Sequence, residues 1–176
     1  LRQAMLSAIA CANDAIRQEA ARNAEYQHMG TTLVCAVARS DMAIIGNIGD
    51  SRAYHITPEG IFQISRDHSV VENMVAKGDL TPLEARTHPN RNLITRALGP
   101  DIHAKADAFE LPWHKDEFLL LCSDGLVNTV SDQEMLFEVL HDGDVNECLD
   151  HLLQISLQRG APDNITAVLL LNEEGR

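Results

Sequence analysis

Apolar positions first recur at helical spacing. Leu1, Met5, Ile9, Ile16 and Ala20 share one stripe of "LRQAMLSAIACANDAIRQEAARNAEYQHM", which predicts an amphipathic helix with no N-cap residue ahead of it. The period then shortens. "GTTLVCAVARSDMAIIGNIGDSRAYHITPEGIFQIS" alternates like a β-meander, with breaks at Ser40-Asp41 and Thr57-Pro58-Glu59-Gly60. Inside it, Gly49-Asp50-Ser51-Arg52 falls at the bend of what reads as a buried hairpin. From Arg66 to Gly99 the pattern turns polar and helical. Ser69-x-x-Glu72 and Thr81-Pro82-Leu83-Glu84 each read as a capping box opening a short helix. With the polar "THPNRNLITRALGP" that follows, residues at about 66–98 are expected to form a helical insertion between strands, a movable flap.

The second half opens on a continuous apolar run, Phe118 to Cys122, which predicts a central strand buried on both faces and ending in Ser123-Asp124-Gly125. Ser131-x-x-Glu134 caps a helix carrying Met135, Leu136, Val139 and Leu140. Another helix starts near Asp144, is expected to bury Leu149, Leu152, Leu153 and Leu157, and stops at Gly160. "APDNITAVLLL" gives a loop holding Asp163-Asn164 and a strand from Ile165. Strands come in runs and helices in pairs, so the pattern predicts an α+β domain with a mainly antiparallel sheet. No internal repeat or linker interrupts it.

Composition narrows the class. At 176 residues and 45% apolar content the chain can bury a substantial core as one domain. Twenty-six acidic against fourteen basic side chains give a net charge of -12, which argues against nucleic acid or an anionic membrane as partner. The four cysteines, Cys11, Cys35, Cys122 and Cys148, are widely spaced in apolar contexts with no C-x-x-C pair. They read as reduced core residues of a cytoplasmic protein.

Three aspartates carry the candidate chemistry. Asp50 sits at a bend between strands, Asp124 at the end of a buried strand and Asp163 just before the last strand. Strands adjacent in one sheet would bring all three carboxylates to its rim, where they must share protons or hold cations. Hard oxygen donors favour Mg²⁺ or Mn²⁺ over Zn²⁺. Singly, each aspartate reads better as a turn or cap residue, and it is the three together at strand ends that favour the cation. No C-x₅-R, H-E-x-x-H, G-x-S-x-G or Walker loop is present, and Cys122 reads as core. His68 and His88 lie in the insertion, where either could approach a substrate, but as isolated residues both read better as surface or satisfied histidines. Without a protein nucleophile, metal-assisted hydrolysis is the coherent reaction.

In order and spacing, "MGTTLVCAV", "NIGDSRAY", "RDHSVVENMVAKGDLTPLEARTHPNRNLITRALG", "LLLCSDGL" and "APDNITAVLL" resemble the metal-dependent protein phosphatase 2C family, closest to its bacterial serine/threonine members. The resemblance implies a four-layer αββα fold, a β-sandwich of two antiparallel sheets flanked by helices. It implies a binuclear Mn²⁺ or Mg²⁺ centre in which Asp124 and Asp163 bind the first ion. Asp50 would bind a third, weaker ion shared with Asp124. Thr31, Ser51 and Arg52 match family positions and are read as structural supports, Arg52 through ion pairing. The activity implied is hydrolysis of phosphoserine and phosphothreonine monoesters by a metal-activated water. Phosphorylated proteins, including a Hanks-type kinase and its targets, would be the partners.

The family's R-x-x-N-E-D and D-G-x-G-G-H segments do not occur in this sequence. They carry a phosphate-binding arginine, a bridging aspartate and a histidine proposed as general acid. The expectation is therefore an N-terminally incomplete catalytic domain over residues 1–176, inactive by itself. A non-catalytic module that binds a kinase or phosphopeptide is the alternative.

Overall fold

The computed structural model describes residues 1–141 and 144–173. Helix α1 (Arg2–Arg22) forms from the first apolar stripe and turns Met5, Ile9 and Asn13 inward, while Leu1 is exposed. Asn13 occupies a slot the spacing would give to an apolar side chain. It accepts from the Gly99 N–H at 2.8 Å and donates to the carbonyls of Asp101 and Ile102. A buried amide is tolerated when so satisfied.

Strands β1 (Leu33–Ala38) and β2 (Met42–Ile48) form a hairpin, and β2 also pairs with β5 (Asp107–Pro112), in the order β1-β2-β5. Strands β3 (Arg52–Thr57), β4 (Gly60–Gln63), β6 (Phe118–Cys122) and β7 (Ala167–Leu171) form a second sheet in the order β4-β3-β6-β7. Every neighbouring pair is antiparallel.

Period-two alternation sorts the core into three layers. Ala43, Ile45, Ala53, Leu111 and Leu119 meet between the sheets. Ile44 and Ile48 point the other way, onto Met5 and Ile9 of α1. Tyr54, Ile56 and Leu120 pack under α5 (Asp132–His141) and α6 (Val145–Gln158), against Met135, Val139, Cys148 and Leu152. Each such side chain contributes roughly 1.5–3 kcal/mol on burial. The architecture is thus a helix-flanked sandwich of two antiparallel sheets.

Several sequence expectations are corrected. The stretch around Asp50 is not a hairpin: β2 and β3 belong to different sheets, so residues 49–51 form a corner between layers. The meander signal was two hairpins joined there, because local alternation reports strands and turns but not which sheet receives them. Strand β5 was not anticipated, although Ala108 and Leu111 are buried and Glu110 exposed. Cys11 is exposed, as are Leu153 and Leu157, which fall outside the α6 stripe of Cys148, Leu152 and Ser156. Short helices α2 (Val70–Lys77) and α3 (Pro82–Thr87) occupy the stretch expected to be helical. Thr81 and Glu84 form the full capping box; Ser69 caps α2, but Glu72 reaches Arg66 instead of returning to the cap. No helix among the described residues is long and apolar enough to cross a membrane.

Candidate metal site at one rim of the second sheet

Antiparallel pairing fixes which strand ends meet. Arg52 at the start of β3 faces Cys122 at the end of β6, and Cys122 faces Ala167 at the start of β7. The segments holding Asp50, Asp124 and Asp163 therefore leave the sheet at the same end.

Each segment has a local reason for its path. Gly49 has φ +108°, and a Cβ there would lie 2.3 Å from Thr32 Cγ2, so the corner before Asp50 admits only glycine without displacement. Asp124 is the first residue of the four-residue helix α4 (Asp124–Val127), which follows the end of β6 directly. The next residue, Gly125, lies so close to the Asp163 loop that a Cβ would sit 2.3 Å from the Asn164 carbonyl oxygen. Ser123 fastens the same two loops: its N–H donates to the Thr166 carbonyl, and its Oγ accepts from the Thr166 N–H, both at 3.0 Å. Asp163 is exposed, and its Oδ1 accepts from the Asn164 N–H at 2.7 Å.

Electrostatics link the three carboxylates in series. Burial and then the charge of Asp124 push Asp50 above the ordinary carboxyl range. Burial and then the charge of Asp163 do the same to Asp124. Asp124 is the shared member, repelled from both sides. Arg52 relieves both but is committed elsewhere. Its Nε and Nη2 grip Asp67 at 3.0 and 2.7 Å, and its Nη1 donates to Tyr54 Oη at 3.0 Å. Burial works against the guanidinium charge, but the Asp67 and Tyr54 interactions outweigh it and hold its pKa above the usual value.

A cation suits this rim. The donors are hard carboxylate oxygens, and their mutual repulsion is what a divalent ion would relieve. Among the described residues no three acidic, histidine or cysteine groups close into a single cage. Mg²⁺ or Mn²⁺, which accept a partly hydrated shell, would suit such donors.

Other candidates resolve plainly. The buried Cys122 thiol is pushed up to about 12, chiefly by burial, and is no nucleophile at neutral pH. Ser51 is buried and shares a 3.0 Å hydroxyl contact with Thr32, while Thr31 bridges to Leu98, so both are structural. His68 is buried and fully engaged with protein groups, the satisfied histidine that the sequence favours over one free to approach a substrate. His88 is half-buried, and its Nδ1 accepts from the Asn90 N–H. A cavity of about 730 Å³, lined by Ile48, Arg96, Asp101, His103 and Lys105 among others, contains none of the three aspartates in its wall.

Sequence reasoning missed the residues that hold the Asp50 corner. Asn47 donates to the Arg66 carbonyl, Asp67 grips Arg52, and His68 accepts from the Gly49 N–H. A strand followed directly by the polar Arg66-Asp67-His68 was the available signal.

Comparison with known proteins places the fold in a family. The family described as protein phosphatase 2C matches residues 1–169. The serine/threonine phosphatase Stp of Listeria monocytogenes is 36% identical over 151 residues, covering 84% of this chain and 60% of that protein. The crystal structure of Stp1 from Staphylococcus aureus is 41% identical, with a TM-score of 0.89 over 93% of this chain and 64% of that one. The catalytic domain of PstP, solved in complex with 2 manganese ions, is 31% identical with a TM-score of 0.86 over 96% of this chain and 70% of that one. Sandwich, rim carboxylates and sequence together define a phosphatase-type fold. The chain belongs to the protein phosphatase 2C family. It spans about 60% of the length of the Listeria relative.

Proposed function

We propose that the protein carrying this chain is a metal-dependent protein serine/threonine phosphatase, hydrolysing phosphoserine and phosphothreonine monoesters. The observation that supports it most is the antiparallel pairing of β3, β6 and β7, which brings the segments holding Asp50, Asp124 and Asp163 to one sheet rim in a member of this family. Asp124 and Asp163 are the ligands of one ion and Asp50, with Asp124, of a weaker one. Bound Mn²⁺ or Mg²⁺ supplies Lewis-acid polarisation of the phosphate and of the attacking water. The chain's own part is to hold these carboxylates at a fixed spacing through Ser123, Gly125 and the Gly49 corner. In the hydrolysis, a water oxygen forms the new P–O bond as the P–O bond to the seryl or threonyl oxygen breaks. That oxygen leaves with a proton as the free hydroxyl.

The substrates proposed are phosphorylated proteins, a Hanks-type kinase among them. The helical stretch at about 66–98 is proposed as a flap beside the site. Four cysteines with no disulfide among the described residues suit a reducing, cytoplasmic setting. One observation favours a second reading, a non-catalytic module that binds a kinase or phosphopeptide: no three-donor cage closes among the described residues. Release of phosphate from a phosphothreonine peptide, measured with and without Mn²⁺, separates them. Mn²⁺-dependent release supports the enzyme; peptide binding without release supports the module.

A further inference from the structure

The corner that presents Asp50 is held by a residue with no assigned role. His68 is only 4% exposed and meets Gly49, the residue before Asp50, at two points. Its backbone N–H donates to the Gly49 carbonyl at 2.9 Å, and its Nδ1 accepts from the Gly49 N–H at 3.1 Å. An Nδ1 that accepts carries no proton, so the ring proton of the neutral imidazole is on Nε2. That nitrogen donates to Asp107 Oδ2 at 3.0 Å. Arg96 Nη1 also lies 3.1 Å from Nε2, but two donors cannot share a hydrogen bond. Arg96 therefore serves Asp107, whose Oδ1 is 3.4 Å from the same Nη1.

A continuous line results: Arg96 steadies Asp107, Asp107 fixes the His68 tautomer, and His68 fixes Gly49. Asp107 is itself anchored as the first residue of β5, opposite Asn47 of β2. The His68 carbonyl accepts from the Thr95 N–H at 2.7 Å, and Ser69 forms a bridge with Ile94. His68 thus stands at the neck where the helical insertion leaves and rejoins the sandwich.

We propose that His68 is a positioning residue for Asp50. Its imidazole, set in one tautomer by Asp107, locks the Gly49 peptide so that the Asp50 carboxylate is held at the spacing from Asp124 that a shared divalent cation needs. A buried side chain bonded at both ends is suited to this, because supporting groups of metal ligands act through orientation rather than contact with the ion. The inference rests on the reading of Asp50 as a cation ligand.

The test exploits the two ring nitrogens separately. His68→Asn keeps an acceptor near the Nδ1 position but cannot reach Asp107. His68→Gln reaches Asp107 but leaves the Gly49 N–H without its acceptor. Two quantities are read on the whole chain: hydrogen exchange of the Gly49 amide, and Mn²⁺ affinity from the free-ion paramagnetic resonance signal, with Asp50→Asn as reference. His68→Gln should speed Gly49 exchange by about 5–10-fold, the loss of one hydrogen bond, and weaken the same Mn²⁺ site that Asp50→Asn weakens. His68→Asn should stay within about threefold of wild type in both, which a merely structural role would not produce. Asp107→Ala, at a half-exposed position, should raise Gly49 exchange without the risk of unfolding a buried site. Wild-type exchange and Mn²⁺ affinity in His68→Gln, or in Asp107→Ala should His68→Gln fail to fold, overturn the proposal. Equal losses in His68→Gln and His68→Asn overturn it as well. Absence of Mn²⁺ binding by the wild-type chain would instead overturn the cation reading of Asp50, and with it the purpose of the clamp.

Discussion

Arg52 and Asp67 lock together across the corner between the two sheets, with Nε at 3.0 Å from both carboxylate oxygens and Nη2 at 2.7 Å from Oδ2. The pair is largely buried, with side chains 26% and 13% exposed. A planar fork on a carboxylate is geometry a lysine cannot reproduce. Arg52→Lys is therefore expected to cost about 1–2 kcal/mol, and Arg52→Ala about 2–3 kcal/mol because it leaves the buried Asp67 charge with only the Gln63 amide as side-chain donor. Urea unfolding of both, with Asp67→Asn completing a double-mutant cycle, measures the coupling. A cycle energy near zero would show that the two residues stabilise the fold independently.

The pH dependence of the metal-free protein follows from the rim carboxylates. Asp50 and Asp124 have folded-state pKa values above their unfolded ones. Their contribution to stability is fully present below the unfolded pKa, near ~4, and is lost as pH rises through the folded values. Asp124→Asn removes this loss. At pH 7 without metal the variant should melt about 1–3 °C above wild type, and Mn²⁺ should no longer raise its melting temperature as it does for wild type. Thermal scans at pH 4 and pH 7, with and without Mn²⁺, check both parts. A metal-free variant melting below wild type at pH 7 would mean the Asp124 charge is compensated within the protein.

Gly125→Ala tests the contact between the Asp124 and Asp163 loops. The added methyl meets a backbone carbonyl, which cannot rotate aside, so the loops must part. The expected cost is about 1–3 kcal/mol, and Mn²⁺ affinity should fall with it as the two carboxylates separate. Calorimetric titration with Mn²⁺ reads the second effect directly. Wild-type affinity in a destabilised variant would place the ion elsewhere.

Asp50→Ala should change little but the metal. Removing a repelled, half-buried carboxylate at a corner should leave stability within about 0.5 kcal/mol, while the turnover proposed for the whole protein carrying this chain should fall. Large destabilisation with unchanged specific activity would return Asp50 to the role of a turn residue.

How much was legible in the sequence varies by residue. The Thr81-Glu84 box, the Met135 and Val139 stripe and the β6 run were readable because caps and periodicity act over a few residues. Asp50, Asp124 and Asp163 stood out because carboxylates at apolar strand ends need a reason. Strand β5 was not readable from the weak alternation after Gly99, and it forms because β2 offers it an unpaired edge.

By itself the sequence determined the local elements, the acidic character and the family motifs, each written within a few consecutive residues. Only the tertiary structure decided that the chain turns a corner at Gly49, since either sheet could have received β3 by local pattern alone. It also decided the partners that lie far apart in sequence. Asn13 caps the Gly99 loop, Gly125 touches Asn164, and His68 ties Gly49 to Asp107. A hydrogen bond or close contact across tens of residues leaves no periodic trace, because it depends on where two elements come to rest and not on either one's own pattern.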